Sequence, residues 1–160
     1  MDGTILTALR TAAGSAAATQ VLALPNASVL TVFGAGLQAH AHIEAICAIR
    51  PITTVYVINR TVERAEELVK EWKQRATREH AFAHIVFEVA KTAEEIAAAV
   101  RLSHIIVTAT NSSTPLFDGM LLSPGCHVNA IGSYLPTMQE IDATVVKRAL
   151  LFADDRESVS

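Results

Sequence analysis

Three small residues at fixed spacing, in Gly34-Ala35-Gly36-Leu37-Gln38-Ala39, follow directly on the apolar run Val29–Phe33. A strand that ends in G-x-G-x-x-A and opens into a helix presents free backbone N–H groups at the positive end of the helix dipole. Gly34 permits the tight turn, Gly36 lets the backbone approach a diphosphate, and Ala39 is small enough for helix and strand to pack closely. The chemistry implied is recognition of a dinucleotide pyrophosphate. About 20 residues further on, such a unit usually places an Asp or Glu on the ribose hydroxyls. Here the second apolar strand runs into Asn59-Arg60-Thr61, with no carboxylate until Glu63. A carboxylate repels a 2′-phosphate, whereas a guanidinium forks onto it and stacks on the adenine. Thr61 adds a hydroxyl and stands where it could cap the next helix. Loss of the acid together with arrival of the cation predicts NADP as the cofactor rather than NAD.

The elements that must position these residues alternate along the chain. Val29–Phe33, Val55–Ile58, Ile85–Val89, Ile105–Thr110 and His127–Ile131 are apolar or β-branched runs, and Leu150–Ala153 gives a sixth. Between them lie helical stretches at Leu37–Ile49, Val62–Arg78 and Asp142–Ala149. Thr92-Ala93-Glu94-Glu95 fits a capping box, which predicts a further helix running to about Leu102. Runs apolar on both faces and alternating with helices mean a parallel sheet covered on each side. The expected fold is α/β, a doubly wound, mostly parallel Rossmann sheet with right-handed crossovers. "MDGTILTALR" reads as a short strand entering a helix over about Arg10–Leu24, broken by Pro25-Asn26. The expected organisation is therefore residues 1–24 as a link from another domain and 25–155 as the dinucleotide-binding domain. Residues 156–160 are expected to begin a return to that other domain, both ends looking cut from something larger.

Composition narrows the function classes. The 160 residues are the size of one domain, 51% hydrophobic and 18% charged, with a formal net charge of -3. No basic face is on offer for a phosphate backbone, so nucleic acid is not an expected partner. The Ala-rich first segment carries Arg10, lacks a basic leader and has no uninterrupted apolar stretch long enough to span a bilayer, so neither a signal peptide nor a membrane partner is expected. Cys47 and Cys126 stand alone in apolar surroundings and read as small buried hydrophobes, reduced in a cytoplasmic protein. His40 and His42, two apart on a helix, point to different faces and cannot share a metal. His80, His84, His104 and His127 form no cluster either, and no metal site is expected. The charged residues from Glu63 to Glu71 read as a solvated helix face.

Asn-Arg-Thr after such a loop also resembles shikimate dehydrogenases and glutamyl-tRNA reductases, so other segments must decide. "DGTILTALRTAAGSAAAT" (2–19), "GAGLQA" (34–39), "TATNSSTPLF" (108–117), "PGCHVNAIGSYLPTMQEID" (124–142) and "FADDRES" (152–158) together resemble the ornithine cyclodeaminase/mu-crystallin family. The resemblance implies a homodimer in which a Rossmann domain holds the nicotinamide. A second domain, largely missing from this chain, closes over a small imino or amino acid. It also implies individual roles. Arg10 matches the arginine that holds the substrate carboxylate, a task that suits a planar fork. Gly34, Ala35, Gly36, Leu37 and Gln38 match the pyrophosphate loop, and Asn59, Arg60 and Thr61 the adenosine contacts of NADP-using members. Thr110 and Asn111 end the fourth strand, and Asn129, Ala130, Ile131 and Gly132 the fifth, where open α/β sheets bind ligands.

One departure bears on the reaction. The cyclodeaminases carry an aspartate where this chain has Tyr134, and a phenol with a pKa near 10 is a poor proton carrier at neutral pH. Together with Arg60 this leans toward net reduction, as in ketimine reductases or amino-acid dehydrogenases. Ornithine cyclodeaminase proper and a non-catalytic NADPH-binding protein of mu-crystallin type are the alternatives. Glu140 and Asp142 read as the acidic first turn of the last helix.

Overall fold

The computed structural model describes residues 3–133 and 135–153. Tyr134 and the segment 154–160 lie outside the described residues, and with them the acid-to-tyrosine departure and the expected return segment. Five short apolar runs become strands: β1 (Val29–Phe33), β2 (Thr54–Ile58), β3 (Val86–Val89), β4 (Ile105–Thr108) and β5 (His127–Ala130). All pairings are parallel, in the order β3-β2-β1-β4-β5. Helices α1 (Gly3–Leu22), α2 (Leu37–Ile49), α3 (Val62–Arg78), α4 (Ala93–Leu102) and α5 (Ala143–Arg148) complete the fold.

Side chains alternate across each strand, so the two faces of the sheet bury different sets. Leu30, Val32, Val55 and Val57 pack with Ile43 and Ile46 of α2 and with Leu68, Val69 and Trp72 of α3. Phe33, Ile58 and Ile106 face the other way, onto Ala99 and Val100 of α4, Val145 of α5 and Phe117 from the segment between β4 and β5. Helices on both faces of a parallel sheet are the doubly wound arrangement. Thr92 and Glu95 form the expected capping box: Thr92 Oγ1 accepts from Glu95 N–H (3.2 Å), and the Glu95 carboxylate accepts from Thr92 N–H (3.1 Å).

Two expectations are corrected. No strand begins the described chain; residues from Gly3 onward are already helical. The reason is a stripe of small residues, Ala8, Ala12, Ser15 and Thr19, spaced at helical intervals and buried, while Ile5, Leu6 and Leu9 are exposed. Among the described residues the sixth strand is likewise absent. Leu150, Leu151 and Phe152 are 87%, 66% and 68% exposed, and β5 pairs only with β4 among the described residues. A β-branched or apolar run without a ladder partner cannot satisfy its backbone as a strand.

α1 is held against α2 by more than packing. Ala8 and Ala12 meet Ala41 and Ala45, and Ser15 Oγ lies 3.0 Å from Nε2 of the buried His42. The Arg50 guanidinium donates to the carbonyls of Thr19 (2.8 Å), Gln20 (2.9 Å) and Ala23 (3.2 Å), so a cation closes the C-terminal end of α1. These matches, from Ala8 to Thr19 on one helix and Ala41 to Arg50 on the other, run the two helices in the same direction.

Candidate functional site

Between β1 and β4 the strand order reverses, which is the switch point beyond whose strand ends open α/β sheets have their ligand crevice. β1 exits into Gly34, whose φ of +114° lies in the region open to glycine. A Cβ there would stand 2.5 Å from the carbonyl oxygen of Ala109, so two backbones meet where no side chain fits. Gly34 N–H donates to Ile58 O (2.8 Å), and Ala109 N–H to Phe33 O (2.8 Å), tying the exits of β2, β1 and β4 together.

Gly36 is the N-cap of α2 and has extended backbone. No side chain caps it, and the first turn carries no acid. Nothing lies within 4 Å of where its Cβ would be. The N–H groups of Leu37, Gln38 and Ala39 have no hydrogen-bond acceptor among the described residues, at the electropositive end of α2. Ala35 and Gln38 are half-buried and Leu37 is exposed. Gln38 Oε1 is buried with no hydrogen-bond donor among the described residues. The Gln38 carbonyl lies 2.7 Å from His42 Nδ1 and can only accept, so Nδ1 carries the proton and Nε2 accepts from Ser15. Burial, partly offset by the Gln38 bond, holds the His42 pKa below its ordinary value.

At the end of β2, the Asn59 amide donates to Thr61 O (2.8 Å) and shapes the turn. Arg60 is exposed, and no ion pair or hydrogen bond among the described residues engages its side chain. Thr61 occupies the N-cap of α3, yet its hydroxyl makes no capping bond. Its ψ is 102°, against 160° at Thr92 and 170° at Asp142, whose side chains do cap. The expected cap is corrected on that ground: the backbone turns the hydroxyl away from the helix. Arg64, read from sequence as part of a solvated face, lines a hollow of about 230 Å³ with Ala35, Glu67, Leu68 and Glu71.

Past β4 and β5 the expected residues separate into two groups. Asn111 and Ala130 are exposed and Ile131 is half-buried, beyond the carboxyl ends of β4 and β5. Thr110 turns its hydroxyl inward onto Glu140 (2.7 Å). Asn129 is buried and donates to Thr19 Oγ1 (3.0 Å), so its side chain serves the docking of α1. Gly132 is buried, its N–H bonded to Glu140 (2.7 Å). Arg10 is exposed on α1, two residues beyond Ala8, at the end of that helix lying alongside the first half of α2.

The residue that sequence reading misplaced is Glu140. Asp142 alone begins α5, accepting from Val145 N–H (2.8 Å), while Glu140 lies outside the helix and is completely buried. The available signal was weak: with Asp142 the better N-cap, an acid two positions earlier has no helix terminus to serve. Burial pushes the Cys47 and Cys126 thiols up to about 12, which makes poor nucleophiles of both. Among the described residues no group of three or more His, Cys, Asp or Glu is placed to hold a metal. None of the described helices is long and apolar enough to cross a membrane.

Comparison with known proteins adds the following. A family model described as the ornithine cyclodeaminase/mu-crystallin family matches residues 1–160. Ketimine reductase mu-crystallin of Mus musculus is 35% identical over 158 residues, covering 99% of this chain and 46% of that protein. A Delta(1)-pyrroline-2-carboxylate reductase of Bacillus cereus is 40% identical over 156 residues, covering 93% of this chain and 42% of its own. Among solved structures, an archaeal alanine dehydrogenase dimer with bound NAD superposes with a TM-score of 0.85 at 32% identity, over 99% of this chain and 45% of that one. The chain therefore spans less than half the length of the relatives it matches.

Proposed function

Since the chain belongs to the ornithine cyclodeaminase/mu-crystallin family, we propose that it is the NADP-binding part of an imine reductase. The reaction is hydride transfer between the nicotinamide and Cα of a small imino or amino acid. The observation that carries this reading is the pairing of two features on one sheet edge. The N-terminus of α2 stands uncapped by any side chain above Gly36, and Arg60 stands exposed and unpaired at the exit of β2.

A dinucleotide fits what is present. The space beside Gly36 and the free N–H groups of α2 suit the pyrophosphate, and the buried Gln38 Oε1 offers an acceptor that lacks a donor. Arg60 suits a 2′-phosphate by bidentate contact, and the free Thr61 hydroxyl can add to it. The archaeal relative is described with NAD, so the preference for NADP rests on Asn59-Arg60-Thr61 in this chain. When bound, the cofactor supplies or accepts the hydride. The residues of this chain then hold and shield it. Asn111, Ala130 and Ile131 stand at the ends of β4 and β5, on the side where the nicotinamide would lie, and Arg10 is assigned the substrate carboxylate. Two charged forks at opposite ends would fix the cofactor and the acid so that reacting carbons meet at short distance.

The reductases among its relatives support an imine substrate. A homodimer is proposed for the intact protein, in keeping with the exposed Ile5, Leu6 and Leu9 on α1. The test is to mix the purified chain with NADPH and a cyclic ketimine carboxylate and to follow cofactor fluorescence and oxidation together. Binding with turnover supports the whole reading. Binding without turnover confines it to the cofactor half for this chain, and no binding overturns it.

A further inference from the structure

Glu140 is a carboxylate with no solvent exposure and no lysine, arginine or histidine paired to it among the described residues. Burying such a group is costly unless donors replace its water. Four do. Oε1 accepts from Thr110 N–H (2.7 Å) and Thr110 Oγ1 (2.7 Å), and Oε2 accepts from Gly132 N–H (2.7 Å) and Thr108 Oγ1 (2.8 Å). Its own N–H donates to Ser133 Oγ (3.1 Å), and its carbonyl accepts from Leu116 N–H (2.9 Å). A Cβ on Gly132 would lie 2.0 Å from Thr110 O and 2.4 Å from Glu140 Oε1, so only glycine allows the carboxylate this close.

An apolar side chain of the same size could fill the space. It could not fix two main-chain N–H groups from two different strand exits at once. The exits it fixes are those of β4 and β5, and Ala109, next to Thr110, is the residue whose carbonyl abuts Gly34. We infer that Glu140 is a positioning residue that sets the nicotinamide-side wall of the crevice by bolting the exits of β4 and β5 together. The inference rests on the proposed dinucleotide site and deepens it. The adenosine-side residue Arg60 belongs to the exit of β2, separated from β4 by β1, a distance of about 10 Å at ordinary strand spacing. A lesion at Glu140 therefore acts on one half of the ligand.

The experiment compares NADPH with adenosine 2′,5′-bisphosphate, which carries the adenosine half and lacks the nicotinamide, by calorimetry on this chain. In Glu140→Gln an amide NH₂ faces backbone donors in place of one acceptor oxygen. NADPH binding is expected to weaken about tenfold, the equivalent of one charged hydrogen bond, with the bisphosphate unchanged. Thr108→Val, which removes a single donor from Oε2 and touches nothing in the crevice, is expected to move NADPH affinity the same way by less, and Thr108→Ser to restore it. Should Glu140→Gln fail to fold, the Thr108 pair carries the test alone. Equal weakening of both ligands, or no change in either, overturns the inference and shows a carboxylate serving the fold only. A parent chain that binds neither ligand overturns the dinucleotide reading first, and this inference with it.

Discussion

One added methyl group has different consequences at Gly34 and at Gly36. At Gly34 it would need a positive φ and would strike the Ala109 carbonyl, so Gly34→Ala is expected to destabilise the chain by about 3 kcal/mol, read as a fall in the urea midpoint. At Gly36 the same methyl enters open space, so Gly36→Ala is expected to cost only about 1 kcal/mol or less of stability, the loss of a glycine N-cap, while obstructing the ground proposed for the pyrophosphate. The two thiols make a second residue-scale prediction. Because burial holds Cys47 and Cys126 near 12, iodoacetamide is expected to label them slowly in native buffer and quickly in denaturant. Fast native labelling of either would contradict the burial on which that shift depends.

Element by element, the sequence was most legible where local chemistry and burial agree. The strand run Val29–Phe33, the helices Leu37–Ile49 and Val62–Arg78, and the Thr92 capping box all stand where pattern alone puts them. It was least legible where a partner decides. Leu150–Ala153 has strand-like composition but meets no ladder, and the start of α1 hides its helical stripe because the buried residues are Ala, Ser and Thr while the large apolar ones face outward. Glu140 was illegible for a related reason: its donors come from segments some 30 and 8 residues away in sequence, and no local spacing announces them. The joint between α1 and α2 also carries a pH dependence. His42 is held neutral by burial, and the His127 pKa is lowered, mainly by burial, in the same direction. A base depressed in the folded state binds more protons when unfolded. Stability is therefore full above the ordinary histidine value of 6.5 and is lost as pH falls below it. Urea midpoints measured downward from neutrality are expected to fall, and less steeply in His42→Gln. The depressed carboxyls of Glu44 and Asp142 add their own loss only at lower pH, below 4.5 and 3.8.

At the scale of the whole molecule, the fold explains why residues from distant parts of the chain share one edge. Parallel strands all point their carboxyl ends the same way, so Gly34, Arg60, Asn111 and Gly132 arrive together although they span much of the sequence. The most direct test of the account is a calorimetric titration of the chain with NADPH and with NADH, repeated on Arg60→Ala. The parent is expected to bind NADPH about tenfold or more tightly than NADH, and Arg60→Ala to remove that advantage while weakening NADH far less, by no more than the lost stacking on the shared adenine. Equal affinity for the two cofactors in the parent, a preference for NADH, or a preference for NADPH that survives loss of Arg60 would contradict it.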